Sequence, residues 1–167
     1  MEPIDGAKLD PAFKDQVAAE PGGENIKVCF ACGSCTAACP IADVDHRYDP
    51  RKIIHQVLLG MREQVLRDPV LWHCYLCYTC YARCPQGVKF TNVMEAIRRI
   101  GIREGLIPSA TESVVAQIDA LSRRARVAAV EKACQSIAKG ETHTDGKDLL
   151  GVLVKATQGL KDQEPKA

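Results

Sequence analysis

The chain has 167 residues, with 22 Lys and Arg against 21 Asp and Glu, for a formal net charge of +1. That balance leaves no electrostatic footprint for nucleic acid, and the densest basic group is Arg123-Arg124-Ala125-Arg126. No stretch approaches the roughly 20 apolar residues of a membrane span, and the N-terminal MEPIDGAKLD lacks the apolar core of a signal peptide.

Taken in chain order, residues 1–25 carry Pro3, Pro11, Pro21, Gly22 and Gly23. They predict an extended N-terminal arm with at most a short helix near Pro11 to Ala19. Cys29, Cys32, Cys35 and Cys39 follow, with Pro40 after them. Asp49-Pro50 then opens a predicted helix, Asp49 as its N-cap and Pro50 at its first position. Ile53, Ile54, Val57, Leu58, Met61, Val65 and Leu66 recur there at helical spacing. A second cysteine run, Cys74, Cys77, Cys80 and Cys84 before Pro85, repeats the first at an offset of 45 residues. The 34 residues between Cys39 and Cys74 have a helical pattern, not that of a hairpin. After the second run, Thr91 or Asn92 is the expected cap of a helix with Val93, Ala96, Ile97 and Ile100 on one face.

Beyond Pro108, Ser109-Ala110-Thr111-Glu112 reads as a capping box. It opens a long amphipathic helix through Val114, Val115, Ile118, Leu121, Ala125, Ala128, Ala129, Ala133 and Ile137, ending near Gly140. Gly140 to Gly146 reads as a loop, Leu149 to Leu160 as a weak final helix and Lys161 to Ala167 as a tail. The expectation is an all-α protein with an arm at 1–25, a domain holding both cysteine runs at 26–108, a helical extension at 109–160 and a tail at 161–167.

Both runs read C-x2-C-x2-C-x3-C-P, the bacterial-type ligand run for a [4Fe–4S] cluster. A cubane has four iron corners, each needing a thiolate. Two intervening residues let a tightly coiling backbone aim three sulfurs at one small object, and the fourth ligand comes from elsewhere. In two-cluster ferredoxins the fourth Cys of each run ligates the other cluster. That rule assigns Cys29, Cys32, Cys35 and Cys84 to one cluster, and Cys74, Cys77, Cys80 and Cys39 to the other. Pro40 and Pro85 fix φ just after the exchanged ligands, and Gly33 permits a turn with positive φ or a close backbone approach. Structural zinc sites favour paired C-x2-C units over a single run of four. Without a signal peptide the thiols are expected to be reduced and the protein cytoplasmic, which fits cluster ligation better than a disulfide framework.

Other candidates are weaker. Trp72, Tyr75, Tyr78 and Tyr81 surround the second run, either as apolar cover that limits water access or as plain core filling. Cys134 reads as a small buried hydrophobe. His46, His55, His73 and His143 show no paired metal spacing; His73 either donates to a cluster sulfur or, in the reading we favour, serves surface packing. Arg98-Arg99 and Arg123, Arg124 and Arg126 either dock an acidic partner or, in the favoured reading, form solvated helix faces. No Ser-His-Asp set, phosphate loop or dinucleotide fingerprint is present, so no catalytic residue is assigned.

The segments CFACGSCTAACP and WHCYLCYTCYARCPQGVKF, followed by TNVMEAIRRIGIREGLIP, resemble the C subunit of heterodisulfide reductase and its relatives. LDPAFKDQV and GGENIKV add to the match, which covers about residues 8–108. Paired runs of this kind also occur in iron–sulfur subunits of succinate dehydrogenase, glycolate oxidase and anaerobic glycerol-3-phosphate dehydrogenase; the Trp-x-Cys entry, the CYxC core and the REGLIP ending narrow the likeness. The resemblance implies an α-helical ferredoxin fold with two pseudo-symmetric [4Fe–4S] halves. It also implies a non-catalytic electron-transfer subunit in a hetero-oligomer, placed between a flavin-containing A subunit and a B subunit with cysteine-rich CCG domains. The chain has no CCG cysteine sets after residue 84 and no plant-type run for a [2Fe–2S] cluster. The alternatives are a free ferredoxin-type carrier or the iron–sulfur subunit of another respiratory or sulfur-metabolism oxidoreductase.

Overall fold

The computed structural model describes residues 5–140 together with Gly151 and Val154. The predicted loop after Gly140, His143, the tail and most of the final helix lie outside the described residues. Among the described residues all regular structure is helical, as the sequence predicts. The chain divides into two compact units, Met1–Ser109 and Ala110–Ala167.

The first unit is built on three helices: α1 (Phe13–Ala19), α4 (Pro50–Leu58) and α7 (Phe90–Arg103). Short helices lie between them: α2 (Ser34–Ala37), α3 (Pro40–Val44), α5 (Arg62–Arg67) and α6 (Thr79–Arg83). The core gathers Phe13 and Val17 from α1, Ile53, Ile54 and Val57 from α4, and Val93, Met94, Ala96, Ile97 and Ile100 from α7. The apolar positions that recur at helical spacing in α4 and α7 are thus the ones that are buried. Asp49 caps α4 as expected, its carboxylate accepting from the Lys52 N–H with Pro50 at the first position. The start of α7 differs from expectation. It is Phe90, preceded by Lys89 in the left-handed region with no side-chain cap. Thr91 is inside the helix and buried, because its hydroxyl is used elsewhere.

The N-terminal segment also differs from an extended arm. Its only α-helix is short, as expected, but Phe13 and Val17 are fully buried. Long-range ties hold it. Asp10 N–H donates to the Gly60 carbonyl at 2.8 Å. Arg62 of α5 pairs with Asp10 at 3.4 Å, pairs with Glu104, and stacks over the Phe13 ring at 5.7 Å. Gly60 has φ +77°, and a Cβ there would collide with the Asp10 backbone. Gly60→Ala is therefore expected to lower the unfolding free energy by about 1–2 kcal/mol from the left-handed conformation alone, with the collision adding to it. Urea unfolding of the holoprotein checks this, and an unchanged midpoint would refute the tie.

The second unit contains α8 (Ala110–Ala138), which ends close to the predicted Gly140. Ala125 is its one buried residue among those described. Val114, Ile118, Val127, Val130 and Ile137 are exposed. Cys134 is exposed as well, not the buried hydrophobe expected, because α8 has no strongly apolar face to carry it inward. No helix among the described residues is long and apolar enough to cross a membrane.

Candidate metal centres

The two cysteine runs fold by the same local plan. A 3₁₀ turn, Ile26–Val28 or Pro69–His73, delivers the first cysteine, Cys29 or Cys74, in extended backbone. Ala31 and Gly33 in the first run have φ of 63° and 81°; Leu76 and Tyr78 in the second have 58° and 60°. These pairs stand at the same 45-residue offset as the cysteines. Left-handed residues on both sides of the second cysteine coil the chain around one point. Turns of this type gather backbone N–H groups into concavities that accept anions. Three of the four residues are not glycine and carry about 1–2 kcal/mol of strain each. Strain of this kind, held at corresponding places, points to a constrained site.

Gly33 and Tyr78 are then the N-caps of α2 and α6, which carry Cys35 and Cys80. These two helices pack against each other. The last cysteine of each run is thereby carried across: Cys39 ends beside the second run and Cys84 beside the first. A hollow of about 380 Å³, including its open mouth, is lined by Cys29, Cys32, Cys35 and Cys84. A second hollow of about 300 Å³ is lined by Cys39, Cys74, Cys77 and Cys80. Phe90, 1% exposed, lines both and stands between them.

The sulfur environments are paired too. Cys32 Sγ lies 3.3 Å from Ser34 Oγ, and Cys77 Sγ lies 3.4 Å from Thr79 Oγ1. Hydrogen bonding to Ser34 holds the Cys32 thiol below its usual range. Burial opposes ionisation of Cys77, but its bonds to Thr79 and Tyr75 outweigh burial and lower it as well. Desolvation pushes Cys35 up to about 11 and raises Cys80 in the same direction. The second hollow has additional polar neighbours. Thr91 Oγ1 is 3.2 Å from Cys80 Sγ, and the buried Tyr48 phenol is raised by desolvation and by the Cys74 sulfur beside it. On the first side, the Val88 N–H donates to Cys84 Sγ at 3.4 Å.

No group of three His, Cys, Asp or Glu side chains among the described residues is close enough to hold a single metal ion. Each hollow instead is lined by four sulfurs, with no histidine or carboxylate in its lining. An all-sulfur donor set around such a space suits a thiolate-bound iron–sulfur cluster and not a lone cation. The residues present therefore fit the group that the motifs imply.

Residues 25–88 match the family described as a 4Fe–4S dicluster domain. The C subunit of the H2:CoB–CoM heterodisulfide, ferredoxin reductase of Methanothermobacter thermautotrophicus is 34% identical over 106 residues, which cover 64% of this chain and 56% of that protein. An iron–sulfur C subunit of the CoB–CoM heterodisulfide reductase of Methanocaldococcus jannaschii is 42% identical over 82 residues, 49% of this chain and 43% of that one. A protein of Archaeoglobus profundus, named for its likeness to the heterodisulfide reductase C subunit, is 36% identical over 94 residues, 56% and 50% of the two chains. Over its cysteine region this chain is similar to heterodisulfide reductase C subunits. That region is an all-α domain of the 4Fe–4S dicluster ferredoxin type. The chain spans about half the length of the curated relatives it matches.

In this dicluster-type domain the weaker candidates separate. His73 Nδ1 lies 3.3 Å from Asp45, whose carboxyl is held down to about 2 mainly by its bonds to Arg47, so the ring faces a carboxylate and not a sulfur. His46 bonds the Ala42 carbonyl. Tyr75, Tyr78 and Tyr81 are exposed, while Trp72 is partly buried. Arg99 is a surface residue paired with Glu20, as a solvated helix face requires. Arg98 is not: it is buried. Sequence reasoning also missed the roles of Tyr48, Phe90 and Thr91. Only Ser34 and Thr79 carried a usable signal, since they repeat at the cysteine offset.

Proposed function

We propose that the chain relays electrons through two [4Fe–4S] clusters between a flavin-containing A-like subunit and a CCG-bearing B-like subunit of a heterodisulfide-reductase-like complex in the cytoplasm. Cys29, Cys32, Cys35 and Cys84 hold one cluster; Cys74, Cys77, Cys80 and Cys39 hold the other. The observation that carries this reading is the lining of the two hollows, each with three sulfurs from one run and the last sulfur of the other. When bound, the clusters supply one-electron exchange, and the chain's own residues do the rest. The thiolates ligate, and the hydroxyls of Ser34, Thr79 and Thr91 donate to them, which eases the gain of negative charge. Phe90 and its apolar neighbours keep water from the space between. The partner assignment is supported by likeness to proteins named as C subunits of multisubunit reductases. The cytoplasmic assignment is supported by cysteines that are all free among the described residues.

Anaerobic reconstitution tests the ligand reading. The expected product holds about eight irons and about eight acid-labile sulfides, four of each per cluster. About four irons, or zinc without a broad visible charge-transfer band, would refute it. Affinity capture of the holoprotein from native extract tests the relay: a flavoprotein and a cysteine-rich chain should co-elute, whereas elution alone would favour a free carrier.

A further inference from the structure

Arg98 is 8% exposed, in the middle of α7. Its guanidinium donates from Nε to the Leu71 carbonyl at 3.1 Å and from Nη2 to the same oxygen at 2.6 Å. Nη2 also donates at 2.9 Å to the carbonyl of Cys74. The Trp72 ring lies beneath it, with Cζ 4.7 Å from the centroid. These partners are dipoles and a π face. A guanidinium withdrawn from water is costly unless a charge of opposite sign compensates it, and carbonyls and a ring offer only part of that.

The missing charge is next door. Cys74 and Cys80 are buried and line the second hollow. A cluster ligated by four thiolates is net negative, and more so after it gains an electron. Burial alone makes that gain harder, because a low-dielectric surrounding penalises the added charge. A fixed cation bonded to the backbone carbonyl of Cys74, itself in the lining, opposes the penalty, and it is screened little because it is buried. The first hollow has a cation in its lining as well, Arg51, but that side chain belongs to an exposed residue, where water screens it.

We propose that Arg98 is the counter-charge of the second cluster, offsetting the burial of Cys74 and Cys80 and raising that cluster's reduction potential through the Cys74 carbonyl without touching a sulfur. This rests on the two-cluster reading above. Arg98 is a positioning and tuning residue, and a mere brace of the loop at Leu71 to Cys74 would behave differently. The experiment is a redox titration of the reconstituted chain followed by electron paramagnetic resonance, with iron content measured on the same samples. The signal that disappears in Cys39→Ala marks the second cluster. Arg98→Gln and Arg98→Met should shift that midpoint to more negative potential and leave the first unmoved. Arg98→Lys, which keeps the charge but loses the forked geometry, should stay near the parent value. Equal shifts in the Lys and Gln variants, an unmoved midpoint in the Gln and Met variants with full iron, or loss of the second cluster in all three would overturn the proposal. Loss in the neutral variants alone, with retention in the Lys variant, would support it. A parent protein with only about four irons defeats the two-cluster reading instead, so the two failures are distinct.

Discussion

Cys39→Ala is expected to abolish the cluster of the second run while the cluster of the first run persists, leaving about four irons per chain. Cys84→Ala should do the reverse. The reason is spatial. Cys39 lies in the first run by sequence, yet it lines the hollow shared by Cys74, Cys77 and Cys80. Cys84 lines the other. Packing of α2 on α6 carries each across. Removing a thiolate from one corner leaves an iron without its protein ligand, and no histidine or carboxylate lines the hollow to replace it. Magnetic resonance and Mössbauer spectra that separate the two clusters read the result. A Cys39→Ala spectrum matching that of Cys29→Ala would mean that each run ligates its own cluster.

Stripping iron from the holoprotein is expected to melt the two cysteine runs while the α1–α4–α7 core survives. Helices α2, α3 and α6 are four or five residues long, well below the roughly 12–15 residues an isolated helix needs in water. Tertiary burial does not make up the deficit: α2 and α3 bury no residue, and α6 buries only Cys80. A few ties remain, such as the α2–α6 packing, the Thr36–Asp49 bond and the Cys80–Thr91 contact, and on the proposed ligation four thiolate bonds per hollow supply most of the rest, which makes cluster binding folding free energy for these segments. By contrast, α7 buries nine of its fourteen residues. Hydrogen exchange after anaerobic chelation should show protection lost at about residues 33–44 and 78–84 and retained at 93–101, as separate cooperative units. Simultaneous loss of both sets, or no loss in either, would contradict this division.

What the sequence made legible was what chemistry imposes locally. The spacing of each cysteine run sets the local coil of its backbone, and both runs fold by the same plan and bring their sulfurs together in two hollows. Asp49-Pro50 is a self-contained N-terminal signal, and α4 begins there. Val93, Ala96, Ile97 and Ile100 mark a buried face by period alone, and all four are buried. The misreadings share a cause in contacts distant along the chain. Thr91 looks like a cap, but Cys80, 11 residues earlier, claims its hydroxyl. Arg98 looks like its neighbour Arg99, but its carbonyl partners at Leu71 and Cys74 are 27 and 24 residues away. The burial of Phe13 depends in part on Arg62, and the Asp10–Gly60 bond that steadies this segment closes a long loop that no local window contains.

The exchange of the last cysteine between runs also orders events at the ribosome. A growing chain folds from its N-terminus as it emerges, and in a protein with local ligation the first centre would be ready once residue 39 had appeared. Here one wall of the first hollow is made of Cys84, Gln86, Val88 and Phe90. None of that wall exists when the first run leaves the tunnel. All four thiols of the first run, Cys29, Cys32, Cys35 and Cys39, therefore wait, without their partners and open to oxidation, through the synthesis of the whole intervening helical segment. The two hollows then gain their final residues almost together, so that, on the proposed ligation, loading of iron becomes a single late step in the life of the chain, governed by how quickly the second run arrives.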